Sequence, residues 1–124
     1  MAQHVDVIMD KLTNFIDIQL TSVAKGNPIM ALVKPLITRV IDNNSYKVET
    51  LLKQIADKDG LVDAKGILSE MIDNITSMNP TKLDTGFLGE LEIGGGKIKM
   101  NIPLLNKALV LTHQDLIDFR NLFV

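Results

Sequence analysis

Val5, Ile8, Met9, Leu12, Phe15, Ile16, Leu20 and Val23 recur at steps of three and four residues, the spacing of one helical face. They predict a first helix from about Gln3 to Ala24, with Val7 and Ile18 off the stripe. Lys25-Gly26-Asn27-Pro28 supplies a stop and a restart: Gly26 suits a left-handed cap, Asn27 an N-cap and Pro28 a first helical turn. A second helix follows over 28–43. The stretch Asn27–Ile41 is apolar nearly all the way round and offers only Lys34, Thr38 and Arg39 to water, whereas an ordinary surface helix keeps one polar face. Such a segment must be dry in the working state, sheltered by its own domain or by neighbouring copies. Pro35 should kink or break it.

Asn43-Asn44-Ser45 predicts the end of that helix and the cap of a third, over 46–57, with a narrow stripe of Val48, Leu51, Leu52 and Ile55 at the spacing that favours helix pairing. Asp57–Gly60 reads as a turn. Asp63 then caps a fourth helix over 64–77, carrying Ile67, Leu68, Met71, Ile72, Ile75 and Met78.

Beyond Asn79-Pro80 the period changes from helical to twofold. Leu88–Ile93 and Lys97–Ile102 alternate apolar and polar residues around Gly94-Gly95-Gly96, a hairpin signature. A two-residue turn at Gly94-Gly95 sets Glu92 opposite Lys97, Glu90 opposite Lys99 and Leu91 opposite Ile98. An odd-length turn would mix the faces. Ala108–Leu111 suits a third strand, and Thr112 caps a last helix running to Phe123, with Asp115 near its positive end. The expected fold class is α+β and predominantly helical. It has four N-terminal helices (1–79), a small antiparallel hairpin or three-stranded meander (86–111) and one closing C-terminal helix (113–123), in a single domain over 1–124.

Composition narrows the chemistry. Of 124 residues, 46% are hydrophobic, which suits a packed core and opposes disorder. That core is aliphatic, because the chain has one Tyr, four Phe and no Trp. Stacking platforms for bases are scarce. The net charge of −2 comes without a basic stripe, so no nucleic-acid partner is expected. With no cysteine, disulfides, thiolate zinc sites and cysteine nucleophiles are excluded. No secretory signal is apparent. The longest apolar stretch, about 14 residues, falls short of the roughly 20 that span a bilayer. A soluble, cytoplasmic protein without membrane contact is the expectation.

Candidate sites are few. Asp57-Lys-Asp59-Gly60-Leu-Val-Asp63 resembles a calcium loop only superficially: placing Asp59-Gly60 at the fifth and sixth positions puts Ile55 first and Gly66 last, where carboxylates are needed. His4 and His113 lack the further ligands of a zinc centre, so no metal and no cofactor are expected. No serine sits in a nucleophile motif. An anion nest at Gly94, Gly95 and Gly96 with Lys97 and Lys99 is conceivable, though a hairpin turn explains the glycines without a ligand.

The reading is therefore a non-enzymatic, self-associating interaction or structural protein, an assembly subunit or accessory protein, that pairs with itself and with other proteins. Its interface is expected at Ile29, Met30, Val33, Leu36, Ile37, Val40 and Ile41. Compact size and a motif-poor sequence would suit a viral or mobile-element product. The alternative is a protein that binds a small anionic ligand, such as a nucleotide, in subunit or sheet–helix crevices. The two differ in one respect: the first should bare an apolar surface on the second helix of a single chain, the second a concave polar pocket.

Overall fold

A computed structural model describes residues 2–26, 28–84, 90–102 and 107–123; within these, the side chains of Ala24, Met30, Val33, Val40, Asn44, Ile102 and Lys107 lie outside the description. The chain is α+β and divides into two compact units, Met1–Ala64 and Lys65–Val124. Among the described residues there are four helices, a four-stranded antiparallel sheet and one further strand pair.

The first unit is a helical hairpin. A two-residue strand β1 (Gln3–His4) leads into α1 (Val5–Ala24), and α2 (Pro28–Ile55) returns against it. β2 (Leu61–Val62) pairs antiparallel with β1, so the first helix begins at Val5 rather than Gln3. Val5, Ile8, Leu20, Ile37 and Val62 are buried. Lys34 Nζ on α2 lies 3.2 Å from Asp17 Oδ1 and donates to Thr21 Oγ1 at 2.9 Å, tying the two helices at one level.

The expected second and third helices are a single 28-residue element. α2 passes through Pro35 and through Asn43-Asn44-Ser45 without ending. Asn and Ser lower helix propensity by only about half a kcal/mol each, too little to stop a helix whose inward face continues in phase. Ile37, Ile41, Ser45 and Leu52 keep that phase, and all four are buried or half-buried. Ser45 Oγ donates to the Asp42 carbonyl at 2.8 Å instead of capping a new start. After α2, Asp57 closes a tight turn: its Oδ1 accepts from the amides of Asp59 and Leu61, both at 2.9 Å.

The second unit sets α3 (Ala64–Ser77; its first residue belongs to the other unit) and α4 (His113–Arg120) with a sheet ordered β3 (Thr81–Asp84), β4 (Glu90–Gly94), β5 (Lys97–Ile102), β6 (Lys107–Leu111). Ile72, Ile75 and Leu116 form its buried cluster, with Ile93, Ile98 and Leu111 packed against it. Phe119 and Phe123 meet edge to face, 5.4 Å between centroids. Thr112 caps α4 as expected, and Asp115, expected only near the positive end of the helix, completes a reciprocal capping box with it.

Two sheet expectations change. The sheet has a fourth strand, β3, whose residues are all exposed. With Leu83 as its only large apolar residue, it carries no alternation to read. The β4–β5 turn is even-numbered but sits one residue later, at Gly95-Gly96. Glu92 therefore faces Lys99, Ile93 faces Ile98 and Gly94 faces Lys97. A two-residue shift of register preserves which side chains share a face. Residues 85–89 and 103–106, including the Leu88-Gly89 start of the expected strand, lie outside the described residues.

The continuity of α2 fixes the sign of a mutation. Asn43→Ala at an exposed interior helical position should stabilise the protein by about 0.5 kcal/mol. At a helix N-cap it would destabilise by about 1 kcal/mol. Chemical denaturation distinguishes the two.

Candidate functional site

α2 exposes large apolar side chains beside polar ones such as Asp42, Asn43, Lys53 and Arg39, the last exposed as expected. Lys34 and Thr38, expected to face water, are half-buried towards α1. Leu32 is instead 78% exposed, Ile29 55% and Leu36 49%, while Ile37 is 2% exposed. Of the expected interface residues, Ile29 and Leu36 thus face outward, Ile37 is inside the unit and Ile41 is half-buried. Met30, Val33 and Val40 belong to α2, but their side chains lie outside the description. The second half of the helix continues the exposure with Tyr46, Val48, Leu51 at 61% and Ile55 at 58%. These four and Leu32 were missing from the expected interface. Val48, Leu51 and Ile55 stand three and four residues apart in the sequence, but reading 43–45 as a break assigns them to a separate helix.

Between α1 and α2 lies an open trough of about 480 Å³ lined by Asp17, Lys34, Pro35, Thr38, Arg39, Asp42 and Asn43. It holds two cationic and two anionic side chains, so it creates no strong field of either sign. The Lys34 ammonium is already engaged by Asp17 and Thr21.

The glycine turn lies in the second unit. The amide of Gly95 donates to the Met78 carbonyl at 2.9 Å, and that of Gly96 to the Ile75 carbonyl at 3.0 Å. The turn therefore satisfies the Ile75 carbonyl, which the end of α3 leaves without a helical partner, and the Met78 carbonyl just past it. These are the amides a nest would aim at an anion, and the helix end beside them carries partial negative charge. Lys97 is exposed and Lys99 half-buried across from Glu92. Gly94 serves close approach: a Cβ there would stand 2.5 Å from the Asn79 carbonyl oxygen and 2.8 Å from Pro80 Cα. His113 is exposed at the first position of α4, and no group of three or more metal-ligating side chains occurs among the described residues. No described helix is long and apolar enough to cross a membrane.

Comparison with known families, characterised proteins and solved structures gives no match.

Gly94→Ala should destabilise the protein by at least about 2 kcal/mol, since the new methyl meets backbone at a positive φ. Gly60→Ala, where a Cβ meets nothing within 4 Å at a φ of 75°, should cost about 1 kcal/mol. Urea unfolding of the two variants checks the order.

Proposed function

We propose that this protein is a non-enzymatic, self-associating interaction or structural protein, working as an assembly subunit or accessory protein whose contact surface is the outer side of α2. The observation that carries the reading is the exposure of Ile29, Leu32, Leu36, Leu51 and Ile55 along one helix. Scattered apolar residues on a surface need no explanation. A run of large ones along a single element is the mark of an interaction site. The aliphatic character of the run suits burial against another protein, since it offers no charge to orient a polar ligand. The alternative, a small-anion protein, is supported by no comparable observation. The amides of Gly95 and Gly96 are bonded within the fold, and the trough beside α2 is open and mixed in charge.

Light scattering coupled to size-exclusion chromatography tests the proposal. At micromolar concentrations the particle should contain more than one 13.7-kDa chain. A strictly monomeric particle at high micromolar concentration would remove its main support.

A further inference from the structure

Resting on that reading, charge identifies what covers the first turns of α2. Ile29, Leu32 and Leu36 are exposed and stand at steps of three and four residues. At 3.6 residues per turn they fall within about a sixth of the helix circumference, and the buried Ile37 lies well outside that arc. The charges around this stripe have one sign. No acidic residue occurs between Asp17 and Asp42, whereas Lys25, Lys34 and Arg39 all fall there. Lys34 is engaged by Asp17, but Lys25 and Arg39 are exposed, one just before α2 and the other three residues past Leu36.

α3 carries a counterpart. Met71 is 50% exposed and Met78 37%, with exposed Asn74 between them. Met78 directly follows α3, and its amide still donates to the Asn74 carbonyl at 3.0 Å. The three positions therefore repeat the steps of Ile29, Leu32 and Leu36 and share an arc of the same width. The exposed charges of these turns are Glu70 and Asp73, and no basic residue occurs between Lys65 and Lys82. Unbranched methionine side chains mould readily to an aliphatic ridge.

The two stripes thus match in spacing and oppose in charge. Laying α2 on α2 would instead set Lys25 and Arg39 of one copy near those of the other, and like charges across a contact are unfavourable. An apolar centre with a polar, complementary rim is the anatomy of a specific protein contact. We propose that the first turns of α2 dock on α3 of a second copy, Ile29, Leu32 and Leu36 against Met71 and Met78. The bases beside the one stripe then meet the acids beside the other. Such a contact joins two different surfaces, and every copy offers one of each.

That property supplies the test. Leu32→Glu spoils the α2 surface and Met71→Lys the α3 surface; both positions are exposed and helical, and circular dichroism checks that helicity is retained. At a concentration where the unmodified protein is multi-chain, each variant alone should associate at least about tenfold more weakly. An equal mixture should recover multi-chain particles containing both variants, because one brings an intact α3 surface and the other an intact α2 surface. Light scattering reads the mass, and capture through a tag on one variant reads the composition. If Met71→Lys associates like the unmodified chain while Leu32→Glu does not, α3 is overturned as the occupant and self-association through α2 stands. Failure of the mixture to recover has the same meaning. Undiminished association of Leu32→Glu, or a single-chain mass for the unmodified protein, removes the α2 reading as well.

Discussion

A helix with apolar residues on two sides cannot be enclosed by one neighbour. α2 packs against α1 with Ile37 buried and Ile41 half-buried, and Ile29, Leu32, Leu36, Leu51 and Ile55 are left exposed. Fully burying an aliphatic side chain of this size contributes about 1.5–3 kcal/mol. The unrealised burial along α2 is therefore comparable with the whole net stability of an ordinary small domain. The functional account follows from this one imbalance. A two-helix hairpin with few buried side chains gains most by covering its outer side, and doing so with copies of itself requires no other component.

The second unit is built differently. Its chemistry-bearing residues are committed to holding it together. The glycine turn between β4 and β5 holds the last turn of α3 through the Gly96 amide and the Met78 carbonyl just past it through that of Gly95, and Gly94 lets the Asn79-Pro80 backbone approach where any side chain would collide. A reciprocal box formed by Thr112 and Asp115 starts α4. The sheet's other face carries Lys82, Glu90, Glu92 and Lys99, with Lys82 and Glu90 3.6 Å apart. Exposed pairs of this kind contribute little to stability. They keep the face soluble and discourage edge-to-edge pairing.

Much of this fold was legible in the chain. Helical spacing located α1 and α3, twofold alternation located β4 and β5, and Thr112 with Asp115 marked the last helix. The misreadings share a cause. Asn43-Asn44-Ser45 looks like punctuation because these residues favour caps, but the inward phase of Ile37, Ile41, Ser45 and Leu52 runs through them and decides the outcome. β3 is short and exposed, so burial left no trace in its sequence. Parity of the hairpin could be derived from the faces, but choosing between the two even registers required knowing that Asn79-Pro80 would lie against Gly94. The candidate interface was half legible: an all-apolar segment announces that something must cover it, yet only the fold separates inward Ile37 from outward Leu32 and Leu36.

Association that buries α2 must couple to folding, because a partner that binds the native state alone raises its apparent stability by mass action. The most direct measurement is the thermal unfolding midpoint of the unmodified chain over a wide range of protein concentrations. The account predicts that Tm rises steadily with concentration. A Tm independent of concentration would contradict it.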